Sequence, residues 1–218
     1  MLRASSDTPE SKAVLAEAYL ASGQFDDARA LLEDARAQDP ENIRVLALLG
    51  PVYGRAGELD RAAEALETAF ALGERGPELR RNLALVYLRQ QKIEEAITEL
   101  RLAAREASGN ASIWFTLGNA YLQARDPSLA AEAFIRSLEI RPDWPEATFN
   151  LALALEESGA KADAAEALRR FQFRARTGMF PSEAPRRSAA IVSTCARDRR
   201  PLSTPLSSTE TASPRRPI

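Results

Sequence analysis

Leu15, Leu49, Leu83, Leu117 and Leu151 stand 34 residues apart, and Ala28, Ala62, Ala96, Ala130 and Ala164 keep the same step. Tyr19, Tyr53, Tyr87 and Tyr121 follow it as well, with Leu155 in the fifth place. The residue after each repeated leucine is small: Ala16, Gly50, Ala84, Gly118 and Ala152. Five in-phase copies without an insertion require a stacked-repeat architecture, in which each unit buries its apolar face only against its neighbours.

Each unit divides into two helical stripes. Leu15, Ala16 and Tyr19 fall at i, i+1 and i+4, one face of a 3.6-residue period. A breaker follows: Gly23, Gly57, Asp126-Pro127 or Gly159. The second stripe opens on Phe25, Leu59 or Ile93 and runs on, in the first copy, through Ala28, Leu32 and Ala35. Pro40 and Pro142 end their helices. The unit is therefore a helix–turn–helix hairpin, and its small residues mark where two helices approach closely.

The fourth copy reads Trp114-x-x-Leu117-Gly118-x-x-Tyr121, then Ala130-x-x-x-Phe134, then Pro142. This resembles the tetratricopeptide repeat at every signature position. The resemblance implies an all-α, right-handed superhelical solenoid. Its repeats are placed at 9–42, 43–76, 77–110, 111–144 and 145–178, after a leader over residues 1–8. Departures are visible. Lys12, Leu46, Arg80 and Thr148 take the signature tryptophan's place, and Glu74 and Ser108 replace the terminal proline. Pro51 falls inside a helix, where it removes a backbone bond and predicts a kink with Gly54 one turn on.

Composition excludes several chemistries. The chain has no His and a single Cys, Cys195. A His-containing triad, a His-ligated metal, a Cys-rich zinc site and an intrachain disulfide are all ruled out. No phosphate-cradling or dinucleotide glycine pattern occurs, since Gly50, Gly54 and Gly57 sit on the repeat rather than after a strand. The expectation is a non-enzyme without cofactor or metal. Neither an apolar run of membrane-spanning length nor a secretory leader is present, so the chain reads as cytoplasmic. Its 26 Arg against 3 Lys, with abundant Ala, suggest a GC-rich bacterial genome.

Charge is uneven. Residues 1–178 carry 22 Lys+Arg against 28 Asp+Glu, whereas residues 179–218 carry seven Arg against three acids. Those last forty residues hold six Pro and eleven Ser/Thr and no Gly, a composition expected to stay disordered. The arginine pairs of this basic tail fit RNA, anionic lipid or an acidic protein; a solvated linker and an unselected sequence are the other readings. Nucleic acid and membrane enter only through this tail.

The family resemblance also implies a concave groove, lined by the first helix of each hairpin, that receives a peptide. Aligned on that pattern, the groove residues are Arg55, Arg81, Asn82, Arg89, Phe115, Asn119, Gln123, Phe149 and Asn150. An Asn amide both donates to and accepts from a peptide backbone, and Arg recognises carboxylates with two parallel bonds. Solvated surface is the other reading of the Asn residues. Asn119 and Asn150 resemble the Asn pair of the family's carboxylate clamp, but Phe115 occupies the clamp's Lys place. The leading expectation is a protein–protein interaction scaffold with an acidic peptide partner. The alternative is a detached module of a larger enzyme or envelope complex that docks, or dimerises, through its last face near Phe171 and Phe173.

Overall fold

The computed structural model describes residues 7–161, 163–167 and 169. Among the described residues the helices run in order α1 (Pro9–Ala21), α2 (Phe25–Gln38), α3 (Ile43–Ala56), α4 (Leu59–Ala71), α5 (Pro77–Arg89), α6 (Ile93–Glu106), α7 (Ala111–Gln123), α8 (Pro127–Ile140) and α9 (Pro145–Glu157). Residues 161, 163–167 and 169 are helical too. Among the described residues there is no strand, and no helix is long and apolar enough to cross a membrane. The basic tail, Phe171, Phe173 and Cys195 lie outside the described residues.

Local chemistry sets the helix ends. Thr8, Asn42 and Asn110, each 34 residues from an equivalent residue, cap α1, α3 and α7 by accepting a backbone N–H of the first turn. Pro9, Pro77, Pro127 and Pro145 stand in first turns, where no donor is lost. The turn residue between the helices of a hairpin has positive φ in all five copies: Gly23, Gly57, Gln91, Arg125 and Gly159. Copies three and four thus make with Gln91 and Arg125 a left-handed turn that glycine makes at less cost. α3 runs from Ile43 to Ala56 with Pro51 inside it and on its exposed side.

Packing within a hairpin is closest where the small residue sits. A Cβ at Gly50 would lie 2.3 Å from Leu66, and one at Gly118 would lie 2.6 Å from Phe134. Leu66 and Phe134 are fully buried in return. Each odd helix also touches the next odd helix, while the even helices have no comparable contact among the described residues. That asymmetry curves the stack and puts α1, α3, α5, α7 and α9 on the inner side.

Two of the signature-tryptophan replacements are buried cations. Lys12 forms ion pairs with Asp34 and with Asp7 (2.7 Å), and the hydrogen bond to Asp34 holds its ammonium above the ordinary lysine range. Arg80 reaches Glu99 at 2.6 Å and Glu106 at 3.4 Å, with its guanidinium 5.1 Å over the Phe70 ring.

Repeats one and two are tied by a charged network on the outer side. Arg29 donates to Glu58 at 2.6 Å and to Glu33 at 3.1 Å. Arg61 joins both acids, stands 4.1 Å over the Tyr53 ring and donates to its hydroxyl. The Arg29 hydrogen bond is the main cause that holds the Glu58 carboxyl below its usual range. A depressed carboxyl stabilises the fold above the unfolded range, about pH 4.3, and that contribution is lost as pH falls through the folded value. Glu58→Gln is therefore expected to lower the melting temperature at pH 7 and to lower it by less near pH 3. An equal gap at both pH values would show that the ion pair does not act in this way.

Candidate functional site

On the inner side a hollow of about 360 Å3 opens across α3, α5 and α7. Three sets of positions, each repeating at 34 residues, build it. Pro51, Leu85 and Asn119 form one set, Asn82 and Thr116 the second, and Arg55, Arg89 and Gln123 the third. Gly50 and Gly54 complete the floor for different reasons. Gly50 is required by the approach of Leu66, whereas a Cβ at Gly54 would meet only Val86, at 4.0 Å. Gly54 thus leaves open space rather than allowing contact.

The lining contains two arginines and no carboxylate. Arg55 stacks its guanidinium 3.7 Å over the Phe25 ring, and Arg89 donates to the carbonyl of Gly54. Those contacts fix the direction of both side chains without neutralising their charge. Leu85, in the same lining, is 38% exposed, a large apolar side chain in a concave place. The amides of Asn82 and Gln123 have no hydrogen-bond partner among the described residues. Asn119 Oδ1 accepts from Asn150 Nδ2 at 2.8 Å, which leaves the Asn119 amide N–H groups to face the hollow. The arrangement offers cations, neutral donors and acceptors, and apolar surface; it holds no nucleophile paired with a base.

Of the sequence-derived candidates, Arg55, Asn82, Arg89, Asn119 and Gln123 come together at this hollow. Asn150 is adjacent, through Asn119. Arg81 is turned to Glu78, 3.1 Å away on its own helix. Phe115 is packed between repeats, stacked on Trp144 with ring centres 4.5 Å apart and tilted against Phe134 at 5.7 Å. Phe149 is half-buried beside Ala152 and Ala167. Pro51 and Leu85 belong to the hollow and were not among the candidates. Their signal was present in the 34-residue step from Asn119.

The tetratricopeptide repeat family model matches residues 1–50 in one form and residues 47–111 and 115–179 in another. The chain belongs to the tetratricopeptide repeat family. It is similar to Tetratricopeptide repeat protein 8 of Caenorhabditis elegans, 25% identical over 156 residues, which are 71% of this chain and 31% of that protein. It is also similar to Cellulose synthase operon protein C of Xanthomonas axonopodis pv. citri (strain 306), 33% identical over 184 residues, 80% of this chain and 12% of that one. The chain thus spans less than a third of the length of either relative. Among solved structures, Pseudomonas aeruginosa pilF is 23% identical with a TM-score of 0.72, covering 87% of this chain and 83% of its own. A MamA crystal structure is 23% identical with a TM-score of 0.66, covering 75% and 95%. These likenesses show the fold: an all-α superhelical solenoid of helix–turn–helix repeats, a scaffold of the kind that serves protein–protein interaction.

Proposed function

We propose that this tetratricopeptide array is a non-catalytic adaptor that holds an extended, carboxylate-bearing segment of a partner protein in the hollow of α3, α5 and α7. The observation that carries this reading is the lining itself, in which Arg55 and Arg89 have no carboxylate beside them among the described residues and Leu85 is exposed. A carboxylate on the partner would receive charge-assisted bonds from the two guanidinium groups, each worth about 1.5–3 kcal/mol. Asn82, Asn119 and Gln123 would pair with the segment's backbone, and Leu85 would cover an apolar side chain.

The test is affinity capture from the source lysate with the full chain and with an Arg55→Glu, Arg89→Glu double variant. A prey held by the parent should fall by about tenfold or more on the variant, because repulsion replaces two attractive contacts. Gly54→Val, which fills the floor without changing charge, should release the same prey. A prey retained equally by all three baits refutes the groove.

A second reading is favoured by the short span of the match, 31% and 12% of the two relatives' lengths. In that reading the array is a docking module of a larger assembly and works through its last face. Its mark in the same experiment is a prey indifferent to all the groove substitutions.

A further inference from the structure

The outer seam between the third and fourth repeats breaks the pattern of the seams before it. Glu33, Glu67 and Arg101 are one period apart. Glu33 binds Arg29 and Arg61, and Glu67 accepts a hydrogen bond from the Tyr87 hydroxyl at 3.0 Å. Burial and that carboxylate push the Tyr87 hydroxyl up to about 12. In the third repeat Arg101 stands instead beside Tyr121, so the sign of the charge at the seam is inverted. Arg105, one turn further along α6, adds a second cation. Neither arginine is ion-paired with a described residue.

Steric filling changes at the same seam. Arg36, Phe70 and Leu138 occupy one position of the repeat, and the third copy places Ala104 there. The missing side chain leaves a hollow of about 270 Å3, walled by Trp114, Tyr121 and Leu129. Trp114 is held in place by its Nε1, which donates to the carbonyl of Ser108 at 2.9 Å. Leu129 is 39% exposed where the first three repeats carry Asp27, Arg61 and Glu95. Arg136 completes a rim of three arginines against one carboxylate, Glu132, although Arg136 itself is paired with Glu139 at 2.8 Å. An apolar hollow ringed by cations is complementary to an apolar side chain flanked by carboxylates.

We propose that this seam of α6, α7 and α8 is a second docking site, separate from the inner hollow, for an acidic peptide segment of a partner protein. The segment lays a leucine-sized side chain over Ala104, between Trp114 and Leu129, and sets its carboxylates on Arg101 and Arg105. No residue of this site lines the inner hollow, so the two bind independently.

The test uses the full chain carrying Trp144→Phe, which leaves Trp114 as the sole indole. The probe is the acetylated, amidated peptide Glu-Glu-Leu-Glu-Glu, titrated against indole emission, with Lys-Lys-Leu-Lys-Lys as control. Saturable change with a Kd of about 1 mM or tighter is expected for the acidic peptide only. Arg101→Glu with Arg105→Glu should weaken it about tenfold or more at an unchanged melting temperature, both residues being exposed. Ala104→Phe, which restores the filling that Phe70 gives the second repeat, should weaken it too. Equal affinity in the charge-reversed variant, equal binding of the lysine peptide, or no emission change at about 5 mM peptide overturns the proposal.

Discussion

Phe134→Ala is expected to remove about 3–5 kcal/mol from the C-terminal part of the array and to split its unfolding into two steps. Phe134 is fully buried, lies against the bare backbone of Gly118 and touches the Phe115 ring. Gly118 has no side chain to move into the space the phenyl ring leaves. In a one-dimensional stack such a loss stays local, so hairpins four and five should melt before one to three. Two probes separate the parts. Trp114 and Trp144 both belong to the affected end, while far-ultraviolet dichroism reports on every helix. The indole transition should therefore move to lower denaturant while part of the helical signal keeps its original midpoint. Coincident transitions at the parental midpoint would refute the local account.

The same contact makes a sharper prediction about sign. Gly118→Ala gains about 1 kcal/mol in helix propensity, yet it should be destabilising, because overpacking against Phe134 costs about 1–3 kcal/mol. Repeats one and three show the alternative solution, with Ala16 facing the place of Leu32 and Ala84 that of Leu100, all four buried. Gly118→Ala combined with Phe134→Leu reproduces that solution. The pair should be more stable than the sum of its single changes predicts, by about 0.5–3 kcal/mol. Strict additivity would mean that glycine is not there for the phenyl ring.

What was legible in the sequence was whatever repeats. The hairpins and the small residue at each close helix approach are periodic, and so are the inner positions 55, 89 and 123. The hairpins follow from the 34-residue step and helical spacing, and the inner side of positions 55, 89 and 123 follows from the family resemblance laid on that step. What was hidden depends on single, aperiodic residues. Trp144 occupies the place that Thr8, Asn42 and Asn110 use for a helix cap, and it forgoes the cap to stack on Phe115. Phe115 is thereby packed between repeats, although its place in the repeat marks it as a groove residue. Lys12 and Arg80 look like surface residues that have lost a signature tryptophan. Their burial becomes readable only when their acids, Asp34 and Glu99, are located on the second helix of the hairpin. The outer seam was missed for the opposite reason: Arg101, Ala104 and Leu129 are ordinary residues whose meaning lies in what the other copies hold at the same step.

The buried cations carry the second large effect. Arg80→Ala is expected to destabilise the third repeat by about 2 kcal/mol, below the 3–5 kcal/mol of a fully enclosed pair because Glu106 remains 43% exposed. The loss has two parts. Glu99, only 20% exposed, is left without the guanidinium 2.6 Å away, and Phe70 loses one of the two cations over its ring. If the unpaired carboxylate dominates, removing both charges should restore what removing one has cost. Arg80→Met with Glu99→Leu keeps the apolar volume and leaves no buried charge, so it should lie within about 1 kcal/mol of the parent. Guanidinium unfolding of the parent, the two single variants and the double variant closes the cycle. A double variant as unstable as the sum of its parts would place the stabilisation in the packing of the arginine stem on Phe70, and the ion pair would be incidental. A recovered double variant would show that repeat three reaches with a charge pair the same packed state that repeat four reaches with Trp114.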